Sequence, residues 1–129
     1  MKKLQLYGKH TTFDYEEDVW ELTDSNDYFK DKKVVLFNLP SMLDFENNIE
    51  DFRKHNIDEI YCVSLKTSFP FSKTIKMIID GNNDFTKQIN DIVGKELVNY
   101  SMIINDGIIE KVFEEPNNSA DTVLLWLEK

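Results

Sequence analysis

The sequence predicts an α/β fold, a mixed central sheet flanked by helices, and three observations predict it. Val34-Val35-Leu36-Phe37 is apolar on both faces, as a central parallel strand is when helices cover each side. An amphipathic stretch over 41–56 leads from it to a second apolar run, 60–65, making one βαβ unit whose crossover is right-handed. Asn105-Asp106-Gly107 lies between the apolar runs 100–104 and 108–113, the pattern of a tight antiparallel hairpin.

The remaining elements follow in chain order. Leu4, Leu6, Phe13 and the 19–22 stretch suggest short strands, forming a hairpin, in the first 23 residues. Asp24 to Phe29 suits a turn or short helix. Ser41 is placed to cap the first helix, with Asp44 as an acidic partner in its first turn. Met42, Phe45, Ile49 and Phe52 form one apolar stripe at helical spacing, and Asn56 offers a left-handed stop. Residues 75–79 read as a strand ended by the turn Asp80-Gly81-Asn82. Phe85, Ile89, Ile92 and Val93 follow on a helix that Gly94 stops. After the hairpin comes a loop over 114–118, then Ser119 caps a last helix bearing Val123, Leu124 and Leu127. No linker or repeat interrupts the chain, so residues 1–129 are expected to form a single domain.

Composition narrows the function classes. The net charge is −9, from 24 acidic and 15 basic residues, and no stretch concentrates Lys and Arg, which argues against nucleic-acid binding. Apolar runs of four or five residues are too short to span a bilayer. The N-terminal residues lack an apolar signal core. One cysteine rules out an internal disulfide and fits a reducing, cytoplasmic setting.

Five blocks carry a family resemblance: KKVVLF, IDEIYCVSLKTSF, DGNNDFTKQI, YSMIINDGIIEKVFEEP and SADTVLLWL. In this order, over residues 24–126, the chain resembles the peroxiredoxins, in particular their type-5 branch. The resemblance implies a thioredoxin-like fold and, in the family, a thiol peroxidase. In that family a Pro-x-x-x-Thr/Ser-x-x-Cys loop joins the first core strand to the helix, and its cysteine attacks peroxide. Here Pro40 matches the start of that loop, but Ser41 already opens the helix, and neither the threonine nor the attacking cysteine has a counterpart. The family's arginine before the aromatic-Ser-Met strand is matched by Asn99, and the position of a resolving cysteine by Ser119-Ala120. The segment between Phe69 and Ile75 is too short for the helix the family places there, which puts the usual dimer surface in doubt. Pro40, Ser41 and Asn99 are therefore read as the remnant of a peroxidase pocket.

The other reactive side chains have plainer readings. Cys62, mid-strand, reads as a small buried hydrophobe before it reads as a redox thiol. His10 and His55 are isolated in sequence, and His55 suits the last carbonyls of a helix better than a metal. The acidic group Asp14, Glu16, Glu17 and Asp18 lacks calcium-loop spacing, as do Asp80, Asn82, Asn83 and Asp84. No metal and no cofactor is expected. Phe69, Pro70 and Phe71 read either as part of the core or as an exposed apolar tip that would mark a contact surface, and Trp126 as a core or interface anchor. The expectation is a degenerate peroxiredoxin-like pseudoenzyme that binds or self-associates, as a homodimer or with a redox-protein partner. The alternatives are a weak thiol-dependent peroxidase using Cys62 and a subunit regulating an active peroxiredoxin in mixed oligomers.

Overall fold

The computed structural model describes residues 2–14, 16–38, 42–64 and 74–128. In chain order these form β1 (Lys2–Lys3), β2 (Lys9–Asp14), β3 (Val19–Asp24), a 3-10 turn (Ser25–Tyr28), β4 (Lys33–Asn38), α1 (Met42–Glu46), α2 (Ile49–Lys54), β5 (Glu59–Ser64), β6 (Lys76–Ile79), α3 (Asp84–Val93), β7 (Tyr100–Asn105), β8 (Ile108–Glu114) and α4 (Ala120–Leu127). All strands join one sheet in the order β1-β8-β7-β4-β5-β6-β2-β3. β4, β5 and β6 run parallel, and every other pairing is antiparallel. The βαβ unit, the two hairpins and the mixed sheet are therefore present as the sequence pattern predicts.

Two cores sandwich the sheet. On one face Val35, Phe37, Cys62 and Ile103 pack against α1, α2 and α4 through Phe45, Phe52 and Val123. On the other Val34, Leu36, Tyr61 and Met102 meet α3 and the 3-10 turn through Phe85, Ile89 and Tyr28. This is why the β4 run is apolar at consecutive positions: alternate side chains enter different cores.

The expected single helix over 41–56 is two helices. The chain breaks at Asn47 and Asn48, where the Asn48 amide donates to the Asp44 carbonyl at 2.7 Å. A side chain that occupies a helical carbonyl offers the backbone an alternative to continuing the turn. The apolar stripe survives, because Met42, Phe45, Ile49 and Phe52 all enter the same core. Asn56 takes the left-handed conformation expected of it, with φ 66°. The turn after β6 does more than end a strand. Asp80 is fully buried and accepts from Phe85 N (2.9 Å), Thr86 N (2.9 Å) and Thr86 Oγ1 (2.6 Å), so it caps α3 from four residues upstream. Leu4 and Leu6 are buried through a segment held by two side-chain amides. Asn26 pairs with both backbone groups of Leu6 (2.8 and 2.6 Å), and Gln88 with both of Tyr7 (2.9 and 3.1 Å).

Candidate functional site

In open α/β sheets ligands approach the carboxyl ends of the parallel strands. Here that edge is built by the end of β4, the first turn of α1, the start of β7 and the N-terminus of α4. Asn38 closes it. Its amide donates to the Val98 carbonyl at 2.6 Å and accepts from Tyr100 N at 2.9 Å, continuing the β4–β7 ladder by side chain. Pro40 and Ser41 come next and lie outside the described residues, as do Phe69, Pro70 and Phe71. Asn99 is half-buried, its amide donates to the exposed Glu115 carboxylate, and its carbonyl accepts from Glu115 N at 3.2 Å. Asn99 thus has a carboxylate as its side-chain neighbour. Ser101, buried two residues further on, donates to the Asn118 carbonyl at 3.0 Å.

Asp44 lies in the first turn of α1, as the sequence pattern predicts, and its side chain serves a second helix as well. Its carboxylate accepts from Ala120 N at 2.8 Å and so caps α4, alongside Ser119, whose hydroxyl accepts from Thr122 N. Asp44→Ala is expected to cost about 1 kcal/mol of stability. Hydrogen exchange checks the assignment, since the Ala120 amide, rather than those of α1, should lose protection.

Cys62 is far from open solvent. It sits mid-strand between Phe37 of β4 and Met77 of β6 in register, with no exposed surface. Burial pushes its thiol well above the ordinary range, and Sγ lies 3.9 Å from the Val63 carbonyl. A thiol is nucleophilic as thiolate, which needs the opposite surroundings: exposure and a nearby positive charge or helix N-terminus. Tyr100, also fully buried, has a hydroxyl without a hydrogen-bond partner among the described residues. Burial first, then Cys62 and Asp80, raises its pKa.

His10 is not isolated. The fold buries it against Ser25 (Nδ1 to Oγ, 2.7 Å), 3.7 Å from the Asp84 carboxylate through Nε2 and edge-on to Phe85. Ser, His and Asp together invite a hydrolase reading, but the proton directions oppose it. The Ser25 hydroxyl donates to the Gly8 carbonyl at 3.1 Å, so the ring donates to Ser25 instead of taking its proton. Ser25 is also fully buried. No sequence signal brings positions 10, 25 and 84 together; the sheet order does. His55 does what its place at a helix end suggests, with Nδ1 2.8 Å from the Asp51 carbonyl. Trp126 is half-buried, edge-on to Phe113 at 6.4 Å. Among the described residues no group of His, Cys, Asp and Glu is placed to hold a metal, and no helix is long and apolar enough to cross a membrane.

No protein-family model matches the chain. Individual proteins do. A peroxiredoxin of Rhizobium etli is 33% identical over 121 residues, covering 74% of this chain and 68% of that protein. Peroxiredoxin sll1621 of Synechocystis is 30% identical over 146 residues, covering 84% of this chain and 77% of its own length. The crystal structure of reduced Prx3 from Vibrio vulnificus in complex with H2O2 superposes with a TM-score of 0.79 at 22% identity, over 98% of this chain and 96% of that one. The structural likeness shows the fold, a thioredoxin-like mixed sheet flanked by helices. The identity and coverage of the Rhizobium and Synechocystis proteins go further, and on them this chain belongs to the peroxiredoxin family.

Proposed function

We propose that this chain is a type-5-like peroxiredoxin scaffold that works without peroxidase chemistry, through binding or self-association. The observation that carries the proposal is the placement of the sole cysteine: Cys62 is sealed inside the sheet core, with its thiol held neutral by burial. Two further facts support it. Only three residues, 39–41, separate β4 from α1, too few for a loop that runs from a proline through a threonine to an attacking cysteine. The alignment with the Rhizobium protein covers 121 positions but uses 74% of the 129 residues, about 95, so about one position in five has no residue of this chain opposite it.

The chemistry agrees. Peroxide reduction needs a thiolate and donors aimed at the departing oxygen, and losing one such electrostatic group typically costs about 10²–10³ in rate. Asn99 supplies no charge and is turned to Glu115. The partner is then a second copy of the chain or a redox protein, the protein remaining in the cytoplasm as one domain.

The test is hydrogen peroxide consumption by the purified protein with a thiol reductant or thioredoxin. The expected rate equals that of the reductant alone and is unchanged in Cys62→Ala. Rapid consumption that disappears in Cys62→Ala would reject the proposal in favour of a thiol enzyme.

A further inference from the structure

A cavity of about 190 Å³ lies under the β2–β3 hairpin, on the α3 face of the sheet and apart from the peroxidase remnant. Its walls include Thr12, Glu21, Asp27, Tyr28, Lys32 and Tyr61. It is smaller than a pocket for a drug-sized molecule and suits a small metabolite.

Its polar groups are unevenly satisfied. Tyr28 is engaged, because its hydroxyl meets Thr12 Oγ1 and donates to the His10 carbonyl at 3.3 Å. Lys76, at the edge of the cavity, is engaged too, by Glu59 at 3.0 Å and Asp14 at 3.9 Å. Tyr61 differs. It is 4% exposed, its hydroxyl accepts from Lys32 Nζ at 3.4 Å, and its own proton has no acceptor among the described residues. Burial, then Glu59, Tyr28, Asp14 and Glu21, raises its pKa, so the phenol stays a donor. Lys32 is half-buried over the Tyr61 ring, with Nζ 6.0 Å from the centroid and no carboxylate within ion-pair distance among the described residues. Glu21 and Asp27 are exposed on the rim, likewise without a cation there.

A half-buried ammonium and a buried phenol therefore face the same small space as two exposed carboxylates that make no ion pair among the described residues. Buried polar groups are ordinarily paired, and the Tyr61 proton lacks an acceptor that a ligand carboxylate, shared with Lys32, would supply. We propose that this cavity binds a free α-amino acid, its carboxylate on Lys32 and Tyr61 and its ammonium toward Glu21 and Asp27. A simple anion would leave the rim carboxylates unpaired, and a simple amine would leave Lys32 so. The proposal does not depend on whether the chain reduces peroxide.

Calorimetric titration of the full chain with each common L-amino acid, up to about 10 mM, tests it, with acetate and ethylamine as single-charge probes. The expected result is saturable binding of at least one amino acid and none of the probes. Lys32→Met and Tyr61→Phe should each weaken binding by at least about tenfold, the loss typical of a hydrogen bond to a charged group. No saturable amino-acid binding overturns the proposal. So does a probe that binds as tightly as the best amino acid, or an affinity unchanged in the variants. If Tyr61→Phe unfolds by circular dichroism, Lys32→Met decides alone, since its long side chain lies at the cavity edge and keeps its apolar stem.

Discussion

Raising the pH is expected to unfold the protein steeply, with stability falling gently from about pH 8.5 and sharply above about 10. The groups responsible are Cys62, Tyr28, Tyr61 and Tyr100, whose pKa values are all raised, with burial the largest cause in each. In the unfolded chain the thiol and the phenols lose their protons at their ordinary pKa values, while the fold keeps them neutral. The unfolded state therefore binds fewer protons at high pH, and stability falls there. The contribution is intact below the unfolded value and is lost as pH rises toward the folded one. Cys62, Tyr61 and Tyr100 each remove about 1.4 kcal/mol per pH unit, so the three together remove about 4 kcal/mol per unit above pH 10, on the scale of a whole domain's stability, and Tyr28 adds to the fall in the same direction. Urea unfolding in half-unit pH steps measures the curve, and absorbance at 295 nm reports tyrosinate appearing with the unfolded state. Cys62→Ala should remove the gentle fall between about pH 8.5 and 10 and leave the steep one. A curve level to pH 11 would contradict the burial of all four groups.

Phe45→Ala is the single substitution expected to do most damage, about 3–5 kcal/mol. Phe45 has no exposed surface and stacks at 4.2 Å on Phe37 of β4 and at 5.6 Å on Phe52 of α2. It therefore ties the sheet to both halves of the interrupted helix. A five-residue helix such as α1 has no stability of its own in water. With the ring gone, α1 loses its anchor, and the cavity left between two aromatic rings closes poorly. Thermal unfolding should show Tm lowered by more than about 10 °C. Leu43→Ala on the exposed side of the same helix is the control, and should change stability by less than about 0.5 kcal/mol.

Much of the fold was readable because its signals are local. The run 34–37, the Asp106-Gly107 turn, the stop at Gly94 and the cap at Ser119 each depend on residues within a few positions, and each appears where expected. The helix break at Asn47-Asn48 was missed because the apolar stripe is continuous across it, and periodicity reports which face is buried rather than whether the backbone bonds are intact. That Asp44, in the first turn of α1 as expected, also caps α4 is not legible for a related reason: a cap is identified by the amide that donates to it, and Ala120 lies 76 residues away.

The candidate site divides in the same way. That this chain holds one cysteine, and that Asn99 directly precedes the Tyr100-Ser101-Met102 run, are properties of the sequence. That Cys62 lies between Phe37 and Met77 with its thiol pushed up, that Asn99 turns to Glu115, and that Lys32 hangs over Tyr61 depend on strand order and register. Hydrophobic period and turn chemistry act over single turns and so are written along the chain. Desolvation, charge proximity and hydrogen-bond partnership act through space, across strands far apart in sequence, and only the packed sheet sets them.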